Sequence, residues 1–132
     1  MKKICHGAAL LAAFCLASGA AVAADFDGSK PLICATMEAH DCDAGEACTR
    51  VLPDNLGVPQ FLRIDFAKQA IVGPKRTTPI RNIERSPDQV LLQGTELGFA
   101  WTLAIETASG RLNASFVNAE NAVVVFGACT PQ

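Results

Sequence analysis

Tyrosine is absent from this sequence, tryptophan occurs once, and histidine twice. The missing tyrosine removes a residue favoured at recognition surfaces, which weakens a carbohydrate-binding or paratope-like reading. Beyond residue 24 no apolar run approaches the roughly 20 residues of a spanning helix. No Cys-x-x-Cys redox or zinc pair, no haem attachment motif and no Gly-x-Ser-x-Gly nucleophile elbow is present. From Phe61 onward there is no helical period long enough to cross over between parallel strands.

The start of the chain carries the clearest signal. Lys2 and Lys3 precede an apolar stretch over residues 4–16, and small residues follow to Ala24. Charged head, short apolar middle and small-residue cleavage site form a secretory signal. Cleavage is expected after Ala23 or Ala24. Cys15 raises the alternative of lipidation, but Phe14 stands where a lipoprotein signal has a small residue. The expected compartment is periplasmic or secreted, with no stable membrane span after cleavage.

Loss of residues 1–24 leaves a single domain over 25–132, large enough for one modest core. The whole chain has 11 basic and 13 acidic residues; without Lys2 and Lys3 it carries nine against thirteen, a net charge of −4. An acidic balance argues against nucleic acid as partner, since that binding is driven by basic patches.

Four cysteines remain: Cys34, Cys42, Cys48 and Cys129. An even count in a small exported chain reads as a disulfide framework. Of the three connectivities, Cys42–Cys48 and Cys34–Cys129 are favoured. The first closes a short polar loop around Gly45; the second ties the N-terminal part to the last strand.

Residues 25–60 lack a sustained period and read as an irregular cysteine-rich cap stapled by its bridges. Residues 61–132 change character. In FLRIDF, Leu62, Ile64 and Phe66 alternate with Arg63 and Asp65; in FAWTLAIE, Phe99, Trp101, Leu103 and Ile105 share one face. Period two with one polar face marks half-buried strands. TPIRNIER forms a weaker strand with Pro79 at its entry. Turns fall at residues 67–69, 86–88 and 108–110, where Gly110 is free to take positive φ. AVVVF, residues 122–126, is apolar on both faces. The expected fold is all-β: about seven strands in an antiparallel meander, forming a curled sheet or small barrel. The alternative is a two-layer β-sandwich. The expected core comprises Leu62, Ile64, Phe66, Phe99, Trp101, Leu103, Ile105, Leu112, Phe116 and Phe126.

Chemistry is sparse. His40, Asp41, Cys42, Asp43, Glu46 and Cys48 cluster, but their spacing fits neither a zinc site nor a calcium loop, and oxidation would remove the thiols as ligands. No metal site is assigned and no cofactor is implied. A nucleophile–base pair would have to use His40, yet Ser29, Ser86, Ser109 and Ser115 fit the leader, turns and a solvent face. No catalytic residue is assigned. The basic run Lys75, Arg76, Arg81 and Arg85 is the candidate ligand-binding feature; a charged edge that blocks sheet-to-sheet aggregation explains it as well.

The order of a cysteine-rich head, LPDNLGVPQFLRIDF, AWTLAIETASGRL and a closing VVVFGACTP resembles small uncharacterised exported proteins of proteobacteria. The resemblance covers most of residues 31–131 and implies the compartment, with no activity. The layout is also similar to periplasmic lysozyme inhibitors, small exported β-barrels with disulfides. Their inhibitory loops use tyrosine, so no residue here corresponds. The expectation is a non-enzymatic binding or interaction module for a periplasmic protein or small ligand. The alternative is a small hydrolase using carboxylates.

Overall fold

The computed structural model describes residues 25–132; the expected signal segment lies outside the described residues. Ten strands form one sheet: β1 (Leu32–Asp43), β2 (Thr49–Val51), β3 (Phe61–Asp65), β4 (Ala70–Val72), β5 (Thr77–Pro79), β6 (Asn82–Arg85), β7 (Gln89–Glu96), β8 (Phe99–Glu106), β9 (Arg111–Val117) and β10 (Asn121–Pro131). A single 3-10 turn, Pro53–Leu56, precedes β3. The strand order is β5-β4-β3-β1-β10-β9-β8-β7-β6, with β2 also paired to β1. All pairings are antiparallel. The sheet curls into a half-barrel, and the sandwich alternative is excluded.

The two ends of the sheet are successive pieces of one bent segment. TPIRNIER does not form one strand. Its first part pairs with β4 and its second with β7. Between them, the Ile80 N–H donates to the Gln69 carbonyl and the Arg81 N–H to the Gln93 carbonyl, both at 2.8 Å. The backbone at Ile80-Arg81 thus links both edges of the curl.

The largest departure from the sequence reading is β1. Residues 32–43 are not an irregular cap; they form the longest strand, central in the sheet. One side pairs with β10 from Leu32↔Pro131 to Asp43↔Asn121. The other side pairs with β3 near its start and with β2 near its end. A register shift between Thr36 and Glu38 leaves Met37 unpaired as a β-bulge. The bulge changes which parity faces inward: Leu32, Cys34 and Thr36 are buried before it, Ala39 after it. Period two is therefore broken in mid-strand, which hides the strand from a periodicity search. Opposite the bulge, a Cβ on Gly127 would fall 2.2 Å from the Ala35 carbonyl oxygen, so only glycine permits this approach.

Both favoured disulfides are present. Cys34 and Cys129 are register partners on β1 and β10, with Cα atoms 3.9 Å apart; Cys42 and Cys48 lie 4.2 Å apart across the short loop. They indicate an oxidising, extracytoplasmic environment.

Seven of the ten expected core residues are buried: Leu62, Ile64, Phe66, Trp101, Leu103, Ile105 and Leu112. Phe126 is 40% exposed. Val123, Val125, Gly127 and Cys129 set the inward parity of β10, which turns Phe126 outward beside His40, with ring centroids 6.1 Å apart. Phe99 and Phe116 are half-buried, for a reason that the site makes plain.

One buried charge organises the β3–β4 hairpin. Asp65, 5% exposed, accepts the Lys68 N–H at 3.1 Å and a guanidinium N–H of Arg63 at 3.2 Å. Asp65→Ala leaves that turn donor unpaired and is expected to destabilise by about 1–3 kcal/mol. Thermal denaturation checks this, and an unchanged melting temperature contradicts it.

Candidate functional site

At one end of the curl the inner face does not close. Leu56 ends the 3-10 turn, Val58 follows it, and Ile71 comes from β4. With Phe99 and Trp101 of β8 and Phe116 of β9 they line a cleft of about 760 Å³. Five of these six are half-buried, and Trp101 is almost fully covered. Phe99 and Phe116 thus point inward as their alternation requires, but face the cleft instead of packed protein. The volume falls within the range of about 300–1,000 Å³ typical of small-molecule sites.

Tight turns fix the rim. The Gly73 N–H donates to the Arg76 carbonyl at 2.9 Å and closes the β4–β5 turn around Pro74-Lys75. This sets Lys75 and Arg76 on one lip. Opposite, β7 and β8 join through Leu97 and Gly98, with φ of 50° and 84°. Two successive positive φ values mark the hairpin turn that matches strand twist. That turn carries Glu96, whose carboxylate lies 3.7 Å from Arg76 Nε across the rim. Asp54 of the 3-10 turn also borders the cleft and accepts a hydrogen bond from the Gln60 amide at 2.7 Å.

The structure divides the candidate basic run. Lys75 and Arg76 reach the cleft; Arg81 and Arg85 do not line it. Arg81 is exposed at the junction of β5 and β6. Arg85 places its guanidinium 5.8 Å from the centre of the Phe66 ring and reaches the Gly28 carbonyl at 3.5 Å, which pins the leader segment. The sequence reading missed Asp54, Leu56, Val58, Ile71 and Glu96 as site residues. Pro53, Gly57 and Pro59 bracket Leu56 and Val58 and remove any period that could have revealed their inward direction.

The polar groups near His40 lie elsewhere. His40 Nε2 donates to Glu38 at 2.8 Å, and Arg50 donates to the other Glu38 oxygen at 2.9 Å. The His40 hydrogen bond, with Arg50 assisting, holds the Glu38 carboxyl below its usual range. Ser86 bonds the Gln89 carbonyl, and the Ser109 hydroxyl donates to Glu106, so both serve the turns expected of them. Among the described residues no serine bonds His40, and no three His, Cys, Asp or Glu side chains converge as a metal site. Cys42 and Cys48, as disulfide sulfurs, are not thiolate ligands. Among the described residues no helix is long and apolar enough to cross a membrane.

No family model, curated protein or solved structure matches the chain. What the fold and the site define is a disulfide-braced, all-β curled sheet with an apolar cleft at one end.

Proposed function

We propose that the domain is a non-enzymatic binding module of the periplasm or the secreted space, and that its ligand site is the apolar cleft. The cleft itself carries this reading. Half-buried aromatic and aliphatic side chains around a cavity of about 760 Å³ offer a ligand large apolar burial, while a few charged rim groups can orient it. The rigid surround supports the same reading. Two disulfides and tight turns hold the lining in place, so little ordering accompanies binding. Catalysis finds no comparable support, because His40 is engaged with Glu38 on β1 and is not among the residues that line the cleft.

The sole tryptophan lines the cleft and gives a direct reporter. A neutral apolar probe such as 1-dodecanol, kept below its solubility limit, is expected to shift Trp101 emission saturably at one molecule per chain. Val58→Phe narrows the cleft and is expected to weaken that binding at least about tenfold, with the melting temperature retained. Absence of a saturable response, or equal affinity in the Val58→Phe protein, would overturn the assignment.

A further inference from the structure

We infer that the cleft takes a monoanionic amphiphile, with its apolar body against Phe99, Trp101 and Phe116 and its head group at Lys75. This rests on the cleft being the ligand site and adds the class of ligand.

The charge arrangement of the rim carries the argument. Four ionic side chains border the cleft: Asp54, Lys75, Arg76 and Glu96. Arg76 and Glu96 face each other at 3.7 Å and offset one another. Asp54 has an acceptor oxygen engaged by the Gln60 amide. Among the described residues Asp54, like Lys75, has no ion-pair partner, but Lys75 is the one rim charge with neither an ion pair nor a side-chain hydrogen bond. The rim cation without a counter-ion is therefore the group a ligand can satisfy, and it calls for an anion.

Local backbone geometry reinforces this. Pro74 and the Gly73–Arg76 hydrogen bond fix the position from which the Lys75 side chain departs. Lysine suits the task, because a long apolar stem can lie along the cleft wall while the ammonium remains at the water boundary. The Arg76–Glu96 contact is longer than a hydrogen bond and partly exposed on both sides, so it opens at little cost. Arg76 can then share the anionic head. A cationic head would meet the Lys75 ammonium, a like charge with no carboxylate beside it among the described residues. A polar ligand such as a sugar would leave its hydroxyls against an aromatic wall and unpaired.

The test uses the oxidised mature chain and three probes of equal alkyl length, each below its micelle-forming concentration: dodecanoate, 1-dodecanol and dodecyltrimethylammonium. Trp101 emission and calorimetry report binding, at a pH where the fatty acid is ionised. Dodecanoate is expected to bind about fivefold more tightly than dodecanol, the scale of one exposed ion pair, and the cationic probe more weakly than either. Lys75→Glu should weaken dodecanoate about tenfold and leave dodecanol unchanged. Added salt should reduce the dodecanoate preference. If dodecanol equals dodecanoate and Lys75→Glu affects neither, the head-group inference fails while the cleft remains a ligand site. Tighter binding of dodecyltrimethylammonium also overturns it. If none of the three probes binds, the cleft assignment fails and this inference with it.

Discussion

Removing the bridge between Cys34 and Cys129, as the paired substitution Cys34→Ala with Cys129→Ala, is expected to destabilise the domain by about 4–5 kcal/mol. The bridge spans a sequence separation of 95, so it strongly restricts the unfolded chain. Both residues are also buried, at 0% and 8% exposure, so their loss removes packing as well. The Cys42–Cys48 bridge spans a separation of only 6 and lies in an exposed loop. Its removal should cost about 2 kcal/mol. The location of β1 decides how the loss is felt. If residues 25–60 were a cap outside the sheet, reduction would loosen the cap first and leave the remaining strands recognisable. Instead β1 joins β3 to β10 at the centre of the sheet. The Cys34–Cys129 variant should therefore unfold in one shifted transition, with Trp101 emission and far-ultraviolet dichroism coincident. Guanidinium denaturation of the three proteins measures this. A loss under about 1 kcal/mol, or dichroism changing while Trp101 stays native, would contradict the placement of the bridge.

Alternation was a reliable guide wherever one face of a strand is polar. FAWTLAIE keeps strict period two, and its odd-numbered residues Trp101, Leu103 and Ile105 are buried as that period requires. The favoured disulfide pairing was also legible, because Cys42 and Cys48 are close enough in sequence to close on each other around Gly45, which leaves Cys34 for the final strand. Strand β1 was hidden because the bulge at Met37 reverses the inward parity halfway along LICATMEAHDCD. Phe126 was misplaced because a strand apolar on both faces does not declare its phase; Gly127 and Cys129, beyond the apolar run, set it. The cleft was not legible at all. It joins residues from Asp54 to Val123, brought together only by the curl of the sheet. Its one foretoken was Lys75 and Arg76 beside Gly73-Pro74. Strand alternation already splits Arg81 and Arg85 from Arg76, but it does not show that only Lys75 and Arg76 border a cleft, from which the bend at Ile80 carries the other two away.

Trp101→Ala is expected to cost about 3–5 kcal/mol, the usual range for deleting a large buried aromatic. Its neighbour gives a sharper version of the same test. Gly94 on β7 is the register partner of Trp101, and the indole lies over it. A Cβ at Gly94 would sit 2.2 Å from Trp101 Cζ2 and 2.6 Å from Cε2. Those ring atoms are the rigid centre of a side chain only 4% exposed, so the ring as a whole must move. Gly94→Ala should therefore destabilise by about 1–3 kcal/mol through overpacking. The displaced ring should also change Trp101 emission and weaken any ligand in the cleft that it lines. Glycine itself is unfavourable within a strand, because it gives up the most backbone freedom on folding. Gly94 does not take the positive φ that would demand glycine. Once the indole is gone, the sign should reverse: in a Trp101→Leu background, Gly94→Ala is expected to be neutral or to stabilise by up to about 1 kcal/mol. The four proteins of this cycle, compared by urea denaturation followed with circular dichroism, give a coupling of about 1–3 kcal/mol if the indole is the cause. An equal cost of Gly94→Ala in both backgrounds would mean that something other than the Trp101 ring requires glycine at this position.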